Sequence, residues 1–305
     1  IENRLSELWS IFDYLMPGLL GGYEGFRRRF ELPIAAGDEA AARRLQCMVG
    51  PFVLRRMKGD VLKDLPEKTE SVIYAPLEGE QDELYRATAS HLALSLAHRL
   101  PREFARDRLA VLAELTKLRQ ICCDPHLLYA NYEGGSAKLE AAMDLVASAV
   151  DGGHKVLLFS QFTSMLELIA ARLDEAGIGY YTLTGATSKE ERARLVASYN
   201  TDGVPVFLIS LKAGGVGLNL TAADIVIHYD PWWNLAAQNQ ATDRAHRIGQ
   251  TSTVTVFKLI AKGTIEEKIL ELQDSKRDLA ESVLGGENVG TASLTKEDIL
   301  ALLEV

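Results

Sequence analysis

The sequence predicts an α/β protein: a parallel sheet with helices on both faces, preceded by a mainly helical region. Two observations carry this. Between residues 136 and 272, short β-rich runs alternate with amphipathic helical patterns, the signature of strand-helix-strand units. Before residue 136, apolar residues recur mostly at helical spacing.

Taken in order, residues 1–70 read as helices broken near Pro17 to Gly25 and near Pro33 to Asp38. Ser71 to Leu77 alternates like a strand. From Glu80 to Ile121 a helical pattern is interrupted near Pro101, which suggests a hairpin of long helices, so 71–135 is a strand plus a helical protrusion. Five strands are expected in 136–272: Lys155 to Ser160, Gly179 to Thr184, Pro205 to Ser210, Asp224 to Tyr229 and Thr253 to Lys258. Ser188 with Glu191, and Thr264 with Glu267, have the spacing of helix-opening capping boxes. Residues 273–305 read as a C-terminal extension: a charged helix, a break at Gly285 and Gly286, and a small apolar helix over Thr295 to Leu303.

Composition narrows the class. Of 305 residues, 47% are hydrophobic, enough for a sizeable core. No apolar run approaches the roughly 18 residues of a transmembrane helix, so no membrane partner is expected. Residues 1–10 carry charges throughout, unlike a secretory signal. The three cysteines, Cys47, Cys122 and Cys123, are poor material for a disulfide framework and fit a reducing compartment. Cys122, Cys123 and His126 lack a second ligand pair at metal-binding spacing and read as buried thiols at a helix end; no metal site is expected in this chain. The net charge of -9 argues against nucleic-acid binding, but a groove can be locally basic on an acidic protein.

In a doubly wound sheet, ligands bind beyond the carboxyl ends of the strands, so the loops after Ser160, Thr184, Ser210 and Asp230 should carry the chemistry. The strongest motif runs from Gln240 to Gln250. On a helix, Gln240, Arg244 and Arg247 fall at i, i+4 and i+7 and share a face. Two guanidiniums on one face want an anion, and the rigid guanidinium fork suits phosphate. The second motif follows a strand: Ser210, Lys212, Ala213, Gly214, Gly215, Gly217 and Asn219. Its glycines allow close backbone approach to a phosphate and present several N–H groups.

These segments resemble the SWI/SNF-type ATPases of helicase superfamily two. The Gln240-to-Gln250 segment resembles the last motif of the superfamily and the Ser210-to-Thr221 segment its fifth. Lys155 to Phe162 resembles motif four, and Leu183 to Thr187 the backbone-binding motif that follows it. Asp230 to Asn234 resembles the family's Asp-Pro-Trp-Trp-Asn-Pro segment, with Leu235 in place of the final proline. Ile1 to Leu15 resembles the stretch after motif three in the family's first lobe. Phe52 to Lys58, with Leu65 to Glu70, resembles the crossing between lobes, and Leu118 to Leu128 the start of the second.

The resemblance implies a RecA-like second lobe in 136–272, with 1–70 as the end of the first lobe and the crossing. It implies that Arg244 and Arg247 are arginine fingers and that Gln240, Gly215, Gly217 and Asn219 meet the nucleotide. It places Ser160, Gln161, Thr184, Gly185, Ser210, Lys212, Ala213 and Gly214 on the DNA backbone. Arg55 and Arg56 would form an inter-lobe salt bridge or touch DNA, and Trp232 and Trp233 would pack or touch DNA.

No Gly-Lys-Ser/Thr phosphate loop and no Asp-Glu magnesium motif occurs in the chain. ATP and Mg2+ would therefore be held mainly by the family's first lobe. The expected whole is a double-stranded DNA translocase acting on a DNA-bound protein target, nucleoid-associated in the cytoplasm or nuclear. The fragment alone should not hydrolyse ATP. A dinucleotide enzyme is disfavoured, because no Gly-x-Gly-x-x-Gly follows the first strand of 136–272.

Overall fold

A computed structural model of the chain describes residues 5–53, 65–97, 107–214, 217–273 and 296–303. Arg55, Arg56 and Gly215 lie outside them. The chain forms two compact units, one of residues 1–63, 233–236 and 271–293, the other of 64–232, 237–270 and 294–305.

The smaller unit is helical where described. α1 (Leu5–Leu15) is followed by α2 (Tyr23–Phe26), a π-helical turn (Arg27–Glu31), α3 (Leu32–Ala35) and α4 (Glu39–Val49). Asp38 opens α4 by accepting the N–H groups of Ala40 and Ala41, which satisfies two orphan donors of the first turn. Leu8, Phe12, Leu20, Phe26, Phe30, Leu45 and Val49 make its core.

The larger unit is built on one six-stranded sheet in the order β1-β6-β5-β2-β4-β3, every pairing parallel. The strands are β1 (Lys68–Pro76), β2 (Val156–Ser160), β3 (Tyr180–Leu183), β4 (Val206–Ser210), β5 (Ile225–His228) and β6 (Val254–Lys262). β2, β4 and β5 are buried at every residue, as continuous apolar runs in the middle of a parallel sheet must be. Their side chains alternate between two cores. Val156 and Leu158 face α7 (Ala137–Asp151) and α8 (Thr163–Glu175), while Leu157 and Phe159 face Leu195 and Tyr199 of α9 (Lys189–Thr201).

β1 corrects the expected layout. The strand read at Ser71 to Leu77 starts at Lys68 and is an edge of this sheet, in register with β6 from Lys68 opposite Val254 to Pro76 opposite Lys262. One compact unit takes in residues 1–63 and the other begins at 64, and the β1–β6 ladder holds residues 68–76 to the sheet. The hairpin helices are α5 (Gly79–Ala97) and α6 (Arg108–Cys123). Ser188 caps α9 by accepting the Glu191 N–H, but the Glu191 carboxylate turns to Arg194 instead of completing a box. At residue 264 the pattern is shifted: the Thr264 hydroxyl accepts from Glu266 N–H and the Glu267 carboxylate from Gly263 N–H. Residues 265–273 are helical, and α12 (Lys296–Leu303) is the last described helix.

Candidate nucleotide and nucleic-acid site

The carboxyl ends of the strands converge as a parallel register requires: Ser160 stands opposite Ser210, and β5 ends beside them and runs into Asp230. Ser160 is fully buried, and its hydroxyl donates to Asp230 Oδ1 over 2.5 Å. This corrects its expected role, since a side chain turned into the core and committed to a carboxylate offers no hydroxyl to a phosphate. Gln161 follows on the rim, half-buried; its backbone N–H also donates to Asp230 over 3.2 Å. Its Oε1 accepts from Arg119 over 2.9 Å, and its Nε2 has no partner among the described residues.

Sequence reasoning placed Asp230 only at a strand end, gave Arg119 no role, and missed that the two form a pair. Arg119, 3% exposed, lies 3.5 Å from Asp230, which is completely buried. It also donates to the Pro231 carbonyl. Burial pushes the Asp230 carboxyl up from its ordinary value, against the pull of Arg119 and Lys138. A second enclosed pair, Lys138 and Glu266, is bonded through both carboxylate oxygens at 2.8 Å. Burial likewise raises the thiols of Cys122 and Cys123, holding them protonated.

After β3 the chain makes a tight turn. Thr184 N–H donates to Thr187 Oγ1 (3.1 Å), and Ala186 N–H donates to Thr184 Oγ1 (3.3 Å). Gly185 is exposed on it. After β4, α10 (Leu211–Gly214) leaves Lys212 exposed. Ala213 is 3% exposed and belongs to the core, so its side chain is withdrawn from any ligand; its carbonyl accepts from Arg192. Ser210 is buried. Gly217 has φ +46°, a left-handed conformation that glycine adopts without strain. Asn219 is exposed, and its carbonyl accepts from Asn200.

The arginine segment departs from the expected helix face. α11 (Leu235–Thr242) contains Gln240 but ends before Arg244. From Asp243 onward the chain turns, and its carbonyls are claimed by Leu220 from a neighbouring loop and by Gln250 from its own far end. Leu220 N–H donates to the Arg244 carbonyl over 3.0 Å, and Gln250 Nε2 donates to those of Ala245 and Ala223. Gly249, at φ +101°, allows the turn. The two arginines are still brought together. Arg247 Nη1 donates to the Leu218 carbonyl over 3.1 Å. Arg244 is held below the ordinary arginine value by burial and then by the like charge of Arg247, with Asp243 opposing weakly. From below, Thr242 Oγ1 is hydrogen-bonded to Nε2 of buried His228 at 2.8 Å. The result is a half-buried cationic pair clamped to the glycine loop.

The model for helicase conserved C-terminal domains matches residues 137–249, and that for SNF2-related domains matches residues 1–127. A putative ATP-dependent helicase/translocase of Bacillus subtilis is 41% identical over 97% of this chain, and an uncharacterized ATP-dependent helicase of Mycoplasma pneumoniae 39% over all of it. The chain spans only 33% and 29% of those two proteins. Among solved structures, the C-terminal domain of the Sulfolobus solfataricus SWI2/SNF2 ATPase is 31% identical, with a TM-score of 0.64; 78% of this chain covers 100% of it. The core of the same ATPase in complex with double-stranded DNA is 36% identical with a TM-score of 0.62, over 93% of this chain and 60% of that one. At 31% identity over the whole of that C-terminal domain, and with the SNF2-related and helicase C-terminal models matching residues 1–127 and 137–249, the chain belongs to the SWI2/SNF2 family of ATPases and contains its RecA-like C-terminal helicase domain.

Proposed function

We propose that this chain is the C-terminal half of an ATP-driven motor that moves along double-stranded DNA. Arg244 and Arg247 act in it as the fingers on the transferring phosphoryl group. The observation that carries this reading is the arginine pair itself. Arg247 Nη1 donates to the Leu218 carbonyl and Leu220 N–H to the Arg244 carbonyl, so both arginines are anchored to the segment that follows left-handed Gly217. Such a site is relieved by a polyanion, and the triphosphate of ATP is the anion the family uses. ATP supplies the phosphoanhydride, and Mg2+ would be held mainly by the first lobe.

Gln240, Gly217 and Asn219, with Gly215 two residues before Gly217 in the sequence, line the nucleotide side in this reading. Gln161, Thr184, Gly185, Ser210, Lys212 and Gly214 serve the DNA backbone in this reading, with Gly185 and Lys212 exposed for it, while Ser210 is buried and Ala213 and Ser160 face the core. Contacts of this kind are blind to sequence and weaken with salt. Arg55 and Arg56 remain assigned to the inter-lobe crossing.

The test is Arg247→Ala in the full-length protein. DNA-stimulated turnover should fall by about 10³-fold or more, because a finger stabilises charge that develops in the transition state. The folded state loses one hydrogen bond, to Leu218, about 1 kcal/mol, so melting should move by only a few degrees. Arg247→Lys should not restore turnover, since an ammonium lacks the planar fork. Near-normal turnover with a large melting shift would make Arg247 structural.

A further inference from the structure

Between the arginine pair and β6 lies a buried polar side chain that has no part in the reaction described so far. Gln250, 7% exposed, closes the arginine segment. Its Nε2 donates to the Ala223 carbonyl over 2.7 Å and to the Ala245 carbonyl over 3.2 Å. Its Oε1 accepts the N–H groups of Thr251 and Ser252, each over 2.9 Å. A primary amide has two N–H donors and two acceptor lone pairs, so these four contacts exhaust it. Nothing is left for a nucleotide or a nucleic acid. Any part that Gln250 takes in the chemistry passes through the backbone it holds.

That backbone is the arginine segment on one side and a fixed anchor on the other. Ala245 follows Arg244, and its carbonyl also accepts the Arg247 N–H over 3.1 Å. The Gln250 N–H in turn donates to the Arg247 carbonyl over 3.0 Å. Residues 245–250 are thereby closed into a loop. The anchor is the segment 218–223. Asn200 of α9 clamps it, donating to the Asn219 carbonyl over 2.8 Å and accepting the Ala222 N–H over 3.2 Å. Ala223 is fully buried. Two other bonds join loop to anchor: Leu220 N–H to the Arg244 carbonyl, and Arg247 Nη1 to the Leu218 carbonyl. The second is made by the guanidinium itself and is given up whenever that nitrogen turns to an anion. The Gln250 bonds involve no guanidinium and persist.

We propose that Gln250 is a positioning residue for Arg244 and Arg247, a role that rests on reading those two as fingers. It fixes the backbone of residues 244–247 on the anchor, so that the guanidiniums are presented at a set place without a helix to carry them. Placement matters on this scale, because a displacement of about 1 Å can cost about 10²-fold in rate.

The experiment measures DNA-stimulated ATP turnover in the full-length protein. Gln250→Met keeps the side-chain length, stays neutral and makes none of the four bonds. Gln250→Glu keeps the acceptor and, when ionised, loses both donors. Each should lower kcat by about tenfold to about 10²-fold. The KM for ATP should stay nearly unchanged, since the phosphates are held mainly by the first lobe. Arg247→Ala is measured beside them. Residues that act as a unit are not additive, so Arg247→Ala/Gln250→Met should be scarcely slower than Arg247→Ala. Tyr199→Phe is the structural comparison: it removes a buried bond to the Val156 carbonyl, and should lower melting slightly while leaving kcat unchanged. Circular dichroism gives the folded fraction of each variant, and turnover is expressed per folded molecule. Near-normal kcat in the Gln250 variants while Arg247→Ala is slow overturns the positioning role and leaves the fingers standing. Losses that multiply in the double variant, a matching loss of kcat in Tyr199→Phe, or failure of both Gln250 variants to fold makes Gln250 merely structural and also overturns it. Near-normal turnover in Arg247→Ala overturns both readings.

Discussion

His228 makes the sheet sensitive to acid, and its structure sets the size of the effect. It lies at the end of β5, 1% exposed, stacked on Phe159 with ring centroids 5.6 Å apart. Nε2 meets Thr242, and Nδ1 has no partner among the described residues. Burial, then Lys258 and Lys68, with Glu70 opposing, pull its pKa from the ordinary 6.5 to about 3. A base whose folded pKa is depressed stays neutral in the fold while the unfolded chain takes up the proton. Its stabilising contribution is therefore complete above pH 6.5 and is lost as pH falls through the window from 6.5 to about 3. Between about pH 7.5 and about pH 5 the loss amounts to roughly 2 kcal/mol, from about 1.4 kcal/mol per unit below the unfolded pKa. The perturbation is His228→Gln, which retains an amide for Thr242 and removes the titration. Urea unfolding across this range, with hydrogen exchange of the β5 amides to localise the change, should show a flatter stability–pH curve for the variant by that amount. Its absolute stability also falls, from lost packing, but the slope is the readout. Equal slopes in the two proteins would refute the reasoning, because exposed histidines contribute the same in both.

Two further outcomes follow from the same sheet. Asp230→Ala strands Arg119, 3% exposed, without its carboxylate, and should cost about 3–5 kcal/mol in denaturant unfolding; a loss below about 1 kcal/mol would show that water or another acid replaces it. Glu70 bridges Lys68 at 2.6 Å and Lys258 at 2.9 Å. Burial opposes these contacts, yet they bring its pKa from 4.5 down to about 2. That stabilisation is present above pH 4.5 and lost as pH falls toward about 2. Glu70→Gln should flatten the acid limb of the stability curve modestly, since the side chain is a third exposed and solvent screens it.

The central strands were legible because an all-apolar run such as Val206 to Ile209 has few places to go except the middle of a sheet. The positions of the strand-end loops follow from the same pattern, and so does the family, since motif spacing is a property of the chain. What pairs across the chain was not legible. Arg119 and Asp230 reveal nothing of each other in sequence, yet burial makes each the other's necessary partner.

The sequence by itself determined the α/β class, the order of elements, the family and the presence of two arginines beside a glycine loop. Only the tertiary structure decided how those arginines are presented. By helical periodicity alone, Gln240, Arg244 and Arg247 share one face. In the fold the helix stops at Thr242, because Leu220 donates to the Arg244 carbonyl and Gln250 to that of Ala245. A helix end is set by which groups claim the backbone beyond it; here one claimant, Leu220, lies on another segment and the other, Gln250, five residues further along the same one. For the same reason Ser160, polar and at a strand end, points inward: its hydroxyl was needed by Asp230, a residue seventy positions away.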